Sequence, residues 1–259
     1  MAMRFCVLGS GSKGNATLVE SGTTSLLIDA GFSGKEITRR LGLINRRPEQ
    51  LSAILVTHEH GDHISGVGVL SRRYGLPVYA NYGTHLAAET RVKKLAKRLE
   101  FSTGEQFCVG DMQVHPFRIS HDTADPVGFV ISDGVSRLAY CTDTGHVTAL
   151  IRHHINTCHG LILEANHDLQ MLMDGPYTMP LKQRVRSNQG HLANGETARF
   201  LAGLDSGALR YVVLAHLSET NNLPDLALQR VEAELEQGPV NFQLCVAGQG
   251  QPTDVFLLD

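Results

Sequence analysis

The stretch Thr57-His58-Glu59-His60-Gly61-Asp62-His63 directly follows the apolar run Ala53-Ile54-Leu55-Val56 and places several metal-binding side chains within seven residues. Successive side chains of a strand point to opposite sides, so this spacing predicts that alternate residues of the motif face one side. A turn after the strand would return Asp62 and His63 to the same cavity. Imidazole and carboxylate ligands suit zinc, manganese or iron, whereas calcium prefers an all-oxygen shell. The motif therefore predicts a transition-metal site at the end of a buried strand.

The composition is typical of a globular α/β protein. The chain has 259 residues, 42% hydrophobic and 19% charged, and we expect a single domain over 1–259. No segment approaches the roughly 18 consecutive apolar residues of a membrane span, so no membrane association is expected. Five cysteines without a C-x-x-C pair are predicted to be buried thiols of a cytoplasmic protein. A net charge of −3 argues against a strongly basic nucleic-acid-coating protein but allows a local basic surface.

The hydrophobic pattern predicts two strand-rich halves, each completed by helices. Two packed sheets with helices on their outer faces are the architecture that buries such elements. A basic helix is predicted over 84–99. The segment near 166–190 contains Gly175-Pro176 and Met179-Pro180 and is predicted to be an irregular insertion.

Three further ligand candidates stand where predicted strands end, namely His121, Asp143 and His216. A binuclear site needs about seven protein ligands from several loops, with one carboxylate able to bridge the ions. Asp143 is the natural bridge. Together with the 57–63 motif, these residues predict a site for two divalent transition-metal ions, zinc or manganese or iron.

The chain resembles metallo-β-lactamase-fold hydrolases, and within them the YycJ/WalJ group, along nearly its whole length. The resemblance rests on the 57–63 motif and on short segments spread over the chain: 8–15, 27–31, 120–122, 125–129, 142–143, 163–168, 190–192 and 215–218. It implies an α/β fold, the αββα sandwich of the metallo-β-lactamase type. It also implies that one ion is held by His58, His60 and His121, the other by Asp62, His63 and His216, and that Asp143 bridges them.

The glycine-rich segment 9–14 fits the pattern G-x-G-x-x-G after a strand, but residues 15–20 read as a second strand. A dinucleotide-binding fold requires a helix there, so we interpret the segment as a hairpin turn. The hydroxyls of Ser10 and Ser12 are candidates to face the substrate.

The site chemistry favours phosphodiester hydrolysis over the other reactions of this superfamily. An anionic two-metal site can clamp a phosphoryl group while a hydroxide shared by the ions attacks phosphorus. Binuclear β-lactamases commonly have a cysteine ligand in place of the bridge, and the thioesterase branch carries a His-Thr-x-Gly-His-type motif that Ser120-His121-Asp122-Thr123-Ala124 does not reproduce. We therefore expect neither activity.

Asp62, Glu164 and His191 are the predicted catalytic residues. By resemblance to transfer-RNA 3′-processing nucleases, His191 would protonate the leaving oxygen and Glu164 would orient it. Leu163 stands where those nucleases have a histidine, so their complete proton relay cannot be assigned to this chain. Asn166, His167 and Asn222 are expected to line the pocket by resemblance.

Basic residues of the insertion, Lys182, Arg184 and Arg186, are the predicted contacts to a polyanion. The family resemblance favours DNA as the substrate and an exonuclease as the enzyme. A small-molecule (cyclic phosphate) phosphodiesterase and a non-catalytic metal-binding module are the alternatives that the sequence leaves open.

Overall fold

The computed structural model describes residues 2–205, 207–236 and 241–258, and two seven-stranded sheets form its centre. The strands of the first sheet are β1 (Met3–Gly9), β2 (Ala16–Ser21), β3 (Thr24–Ile28), β4 (Ala53–Leu55), β5 (Pro77–Ala80), β6 (Lys97–Glu100) and β14 (Phe256–Leu258). Their order is β14-β1-β2-β3-β4-β5-β6. The strands of the second sheet are β7 (Phe107–Val109), β8 (Met112–Arg118), β9 (Val127–Ser132), β10 (Arg137–Cys141), β11 (Gly160–Glu164), β12 (Tyr211–Ala215) and β13 (Gln243–Val246), in the order β13-β12-β11-β10-β9-β8-β7.

Helices connect the strands and flank both sheets. They are α1 (Gly34–Leu43), α2 (Gly61–Ile64), α3 (Val67–Tyr74), α4 (Tyr82–Val92), α5 (Ala149–Ile155), α6 (Leu169–Asp174), α7 (Met179–Val185), α8 (Asn194–Ala202) and α9 (Pro224–Leu235), with a short 3₁₀ turn at Pro48–Gln50. Among the helices of the described residues, none is long and apolar enough to cross a membrane.

The apolar side chains form one cluster between the sheets and one on each outer side. Phe5, Val19, Phe129 and Ile162 belong to the central cluster, to which both sheets contribute. The first sheet and helices α1 and α3 share a second cluster, and the second sheet and helices α5, α8 and α9 share a third. Each sheet is therefore buried on both faces, and the predicted αββα sandwich is confirmed.

Two segments differ from the sequence-based prediction. The basic helix predicted over 84–99 ends at Val92, because Lys93 takes a left-handed conformation (φ 62°), and the chain then enters strand β6. The segment 166–190 is not irregular but contains α6 and α7, and Asp168 caps α6 by accepting a hydrogen bond from the Met171 N–H. The cysteines are free thiols, as predicted, but Cys108 is exposed rather than buried.

The direction of the strands explains why polar residues collect at one edge. Strands β3 and β4 are parallel, as are β10, β11 and β12, while β8 runs in the direction of β10 because both are antiparallel to β9. Parallel strands present their carboxyl ends at the same edge of a sheet, where α/β folds place their ligands. At three of these ends the chain adopts a left-handed conformation that non-glycine residues rarely take: Asp29 (φ 58°), Asp143 (φ 58°) and His216 (φ 56°). Such local strain persists where the surrounding structure imposes it, commonly at functional sites.

Candidate metal centre and active-site cavity

Three histidines from two loops converge at the end of β4 and β8. The ligand nitrogens of His58, His60 and His121 lie within 4.8 Å of one another. His60 Nδ1 and His121 Nε2 are 3.2 Å apart. A zinc–nitrogen bond of about 2.05 Å gives a tetrahedral edge of about 3.3 Å, so this separation suits two nitrogens on one ion.

A second group forms beside the first, around Asp62, His63 and His216. Asp62 Oδ2 is 3.5 Å from His63 Nε2 and 3.4 Å from His216 Nε2. Asp143 lies between the two groups, with Oδ2 at 3.3 Å from His63 Nε2 and Oδ1 at 3.8 Å from His121 Nε2. The seven residues predicted as metal ligands are thus brought together in one place.

Buried neighbours fix the orientation of the ligand histidines. The Thr57 hydroxyl donates to Asp29 Oδ2, so it can accept from His58 Nδ1 at 3.0 Å. His63 Nδ1 donates to the same Asp29 oxygen at 2.7 Å, and His121 Nδ1 donates to the Gly190 carbonyl at 3.2 Å. Each of these bonds leaves the Nε2 lone pair free for a metal, which is the arrangement found around metal-ligating histidines.

Glu164 is fully buried at the end of β11 and contacts two histidines at once. Its Oε1 accepts hydrogen bonds from His191 Nδ1 and His216 Nδ1, both at 2.8 Å. Its Oε2 accepts from the N–H groups of Thr144 and Leu192. Both carboxylate oxygens of Glu164 are therefore engaged in holding neighbouring groups, and His191 Nε2 remains available to the cavity.

The buried carboxylates of the cluster raise the pKa of two of its histidines, whereas burial lowers the pKa of others. Burial opposes protonation of His216, but Asp143 and hydrogen bonds to Asp62 and Glu164 outweigh it and raise the pKa of His216 to about 10. Burial likewise opposes protonation of His63, yet Asp143, Asp29 and Asp62 raise its pKa. His58 behaves differently, because burial and the neighbouring His63 lower its pKa well below the usual value.

The residues present fit a divalent transition metal. Among the described residues, His58 Nε2 and Asp143 Oδ2 are buried side-chain atoms without a hydrogen-bond partner. Buried polar atoms are normally paired, and these two unpaired atoms lie within the cluster of predicted ligands. A cation between them would satisfy both, and the mixture of imidazole and carboxylate donors suits zinc, manganese or iron.

A cavity of about 230 Å³ adjoins the cluster. The predicted ligands His60, Asp62, Asp143 and His216 line it together with His191. Of the predicted substrate contacts, Ser12, Asn166 and Arg184 line it as well.

The other predicted substrate contacts are engaged elsewhere. The Ser10 hydroxyl donates to Asn15 Oδ1 and accepts from the His216 N–H, so it supports the His216 backbone. Asn222 bonds to Asn194 and to the Ala165 carbonyl. Lys182, a predicted contact to a polyanion, is buried outside the cavity lining, and its ammonium group donates to the Met173 carbonyl.

His167 and Arg186 also lie outside the cavity lining in the described part of the chain. His167 is buried, and burial lowers its pKa to about 4. Arg186 is exposed at the end of α7, and its guanidinium group contacts Met173 Sδ.

Sequence reasoning assigned no role to several residues that build the site. Asp29 follows the buried strand β3, and the same rule that identified Asp143 could have identified it. Asn15 Nδ2 lies 3.3 Å from Asp62 Oδ2, and Asp122 pairs with Arg184 at 2.6 Å across the cavity. Tyr177, Leu181, Ser218 and Asn221 also line the cavity; Ser218 lies in segment 215–218 of the family resemblance, and no sequence pattern marks the other three.

Comparison with known proteins agrees with the fold and the site. The chain is 38% identical over 242 residues to exodeoxyribonuclease WalJ of Streptococcus pneumoniae (serotype 2, strain D39), covering 92% of this chain and 90% of that protein. It is 38% identical over 239 residues to exodeoxyribonuclease YycJ of Bacillus anthracis, with the same coverage. Residues 24–217 match a family model described as a beta-lactamase superfamily domain. The chain belongs to the WalJ/YycJ family of the metallo-β-lactamase superfamily.

The fold of this WalJ/YycJ family member is also shared by solved structures of low sequence similarity. The metallo-β-lactamase-fold protein YhfI from Bacillus subtilis superposes with a TM-score of 0.73 at 18% identity, covering 98% of this chain and 100% of that one. This similarity extends over the whole sandwich and shows the fold.

Proposed function

We propose that the protein is a metal-dependent exonuclease that hydrolyses DNA at a site for two divalent transition-metal ions. The observation that carries the proposal is the seven-ligand cluster of histidines and aspartates beside a cavity, in a chain 38% identical to named exodeoxyribonucleases over 92% of its length. The phosphodiester is the substrate bond, and DNA is the partner.

His58, His60 and His121 would hold one ion, Asp62, His63 and His216 the other, and Asp143 would bridge them. When bound, such a pair neutralises phosphoryl charge and makes water a nucleophile at neutral pH. Zinc and manganese suit the donor set, and iron is compatible with it.

The protein's own side chains supply orientation and proton transfer. Asp62 lines the cavity and can position the attacking water by accepting a hydrogen bond from it. His191 lines the cavity with Nε2 available, while Glu164 holds its Nδ1 at 2.8 Å. This arrangement lets His191 donate a proton to the leaving 3′ or 5′ oxygen, with the buried Glu164 stabilising the cationic imidazole.

The guanidinium group of Arg184 borders the cavity, and its partner Asp122 holds it there. Arg184 is positioned to contact a phosphate next to the scissile bond, since guanidinium groups bind phosphate oxygens in a bidentate manner. We also propose a cytoplasmic location and a single domain over 1–259, on the basis of the cysteine content and the composition.

A substrate panel tests the proposed reaction. Purified protein in manganese or zinc is incubated with end-labelled single- and double-stranded DNA, RNA, bis(p-nitrophenyl) phosphate, nitrocefin and a glutathione thioester. We expect release of mononucleotides from DNA, abolished by Asp143→Ala and retained in His153→Ala, whose side chain is exposed on α5. Cleavage of only the small phosphodiester would favour the cyclic-phosphate alternative. Turnover of nitrocefin or the thioester without phosphodiesterase activity would contradict the proposal.

A further inference from the structure

Besides the predicted metal ligands and the polar residues already described, two further segments contribute to the cavity lining. Tyr177 and Leu181 belong to the α6–α7 insertion, and Ser218 and Asn221 belong to the loop after β12. An aromatic ring, an aliphatic side chain and two polar side chains thus border the same space as the predicted metal ligands. Pockets that combine apolar surface with a few fixed polar groups are typical of small-molecule recognition.

Tyr177 offers a half-buried ring to this space. Within the described residues it makes no hydrogen bond, ion pair or aromatic contact. Other aromatic rings of the protein pack against one another, as Phe5 does with Phe256 at 4.9 Å between centroids. The ring of Tyr177 is therefore available to a ligand.

Asn221 offers a buried hydrogen-bond acceptor. The side chain is 1% exposed, and the backbone N–H donates to Ser218 Oγ at 3.1 Å. Its Oδ1 has no partner among the described residues. A Cβ at Gly175 would lie 2.6 Å from this oxygen, so glycine at that position leaves the carbonyl room. Leaving a buried acceptor unpaired is costly, and because Asn221 lines the cavity, a donor group of a bound ligand would satisfy it.

We propose that Tyr177, Leu181 and Asn221 form the subsite for the terminal nucleoside of a single-stranded DNA substrate. The base stacks on Tyr177 beside Leu181, and Asn221 Oδ1 accepts a hydrogen bond from an N–H or O–H group of that nucleoside. The adjoining phosphodiester then lies at the metal centre. This inference rests on the proposed nuclease function.

The size of the cavity agrees with this substrate class. Pockets for drug-sized ligands measure about 300–1,000 Å³, and this cavity of about 230 Å³ also contains the predicted metal ligands, so it suits a single nucleotide unit at the end of a strand. Stacking on an aromatic ring tolerates every base, because each base has a π-face. A subsite of this kind accounts for sequence-tolerant removal of one nucleotide at a time.

Binding without cleavage provides the first test. An internally fluorescein-labelled oligothymidylate of ten nucleotides with phosphorothioate linkages, which resist hydrolysis, is titrated with the metal-loaded full-length protein, and its anisotropy gives Kd. Tyr177→Ala should raise Kd about five- to a hundredfold, the range of single stacking contacts, whereas Tyr177→Phe should stay close to wild type. Asn221→Ala should raise Kd about two- to tenfold. Tyr82→Ala, at a ring that is 63% exposed on α4, should change nothing.

Two small substrates distinguish recognition of the nucleoside from recognition of the phosphodiester. Wild type should hydrolyse thymidine 5′-(p-nitrophenyl phosphate) with a higher kcat/KM than methyl p-nitrophenyl phosphate, and Tyr177→Ala should remove most of that preference without changing the rate on the methyl ester.

The two failures are distinguishable. If wild type cleaves no DNA, the proposed function itself is wrong. If wild type cleaves DNA but Tyr177→Ala and Tyr82→Ala bind oligothymidylate equally well, the nucleoside subsite is wrong and the function stands.

Discussion

At the scale of single residues, Glu164 shows how one buried carboxylate can serve two histidines with different tasks. Its Oε1 lies 2.8 Å from the Nδ1 atoms of both His191 and His216. His216 then directs Nε2 towards Asp62, while His191 directs its free nitrogen to the cavity. The hydrogen bonds that His216 and His191 donate to Glu164 therefore orient a predicted metal ligand and a predicted proton donor in the same way, and the positions of the two histidines give them different roles.

Replacing His191 by alanine tests the proton-donor role. We expect single-turnover cleavage of DNA to fall roughly a hundredfold or more, the usual scale for a general acid, while metal content stays at the wild-type level. Substrates with a p-nitrophenolate leaving group should be nearly unaffected, because that group leaves without protonation. Rapid-quench kinetics and elemental analysis provide the measurements.

His153→Ala serves as the control, since its exposed side chain lies on α5 outside the cavity lining. Loss of metal in His191→Ala, or equal slowing of p-nitrophenyl and oligonucleotide substrates, would instead assign His191 to a ligand or structural role.

At the scale of elements, the basic residues of helix α7 and its C-terminal end lie in two different environments, one buried and one exposed. Lys182 is buried and bonded to the Met173 carbonyl of α6, so it joins the two helices of the insertion. Arg184 and Arg186 are exposed, and Arg184 pairs with Asp122 at the cavity. Lys182 thus stabilises the packing of α7 against α6, and the two arginines face solvent.

Replacing the two arginines and replacing the lysine should change different properties of the protein: DNA binding in the first case and stability in the second. The double variant Arg184→Ala, Arg186→Ala should weaken single-stranded DNA binding and reduce the salt slope by about 0.7 for each phosphate that the protein no longer neutralises. Lys182→Ala should leave the salt slope unchanged and lower the melting temperature, because a buried carbonyl loses its donor. Anisotropy titrations at several salt concentrations and thermal melts measure both effects.

Lys97→Ala, on β6 and outside the cavity lining, is the matched charge control. An unchanged slope in the double arginine variant would place the nucleic-acid path away from α7.

At the scale of the whole molecule, the predicted ligands come from both halves of the sandwich. The 57–63 motif follows β4 of the first sheet, whereas His121, Asp143 and His216 follow strands of the second. A cation held by both sets would connect the two sheets at their common edge. Binding energy that requires the folded arrangement contributes directly to stability.

Metal removal should therefore lower the melting temperature. At a metal concentration of about a hundred times Kd, binding adds about 2.7 kcal/mol, which corresponds to a shift of about 5–10 °C for a protein of this size. We expect close to two transition-metal ions per chain by elemental analysis and a shift of this order after dialysis against a chelator.

Asp143→Asn should reduce both the metal content and the shift, and asparagine tolerates the left-handed conformation at this position. A wild-type protein without metal, or with the same melting temperature before and after chelation, would contradict the two-ion site.

The amino-acid sequence was sufficient to predict the fold and the candidate metal ligands, and the reason is local. A polar residue directly after a buried strand must lie at the edge of a sheet, and parallel strands bring such edges together. The 57–63 motif, His121, Asp143 and His216 all follow this rule, so their positions after predicted strands indicate that they lie close together. Asp29 follows the same rule after β3.

Which polar residues face the cavity depends on the tertiary structure. Lys182 and Arg184 are equivalent as basic residues of one sequence segment, yet one is buried against a carbonyl and the other borders the site. Ser10 and Asn222 carry the polar groups that a substrate could use, but protein neighbours already satisfy them. Tyr177 and Asn221 reach the cavity from segments more than forty residues apart. Burial and hydrogen-bond pairing depend on contacts between distant segments, and sequence spacing does not encode those contacts.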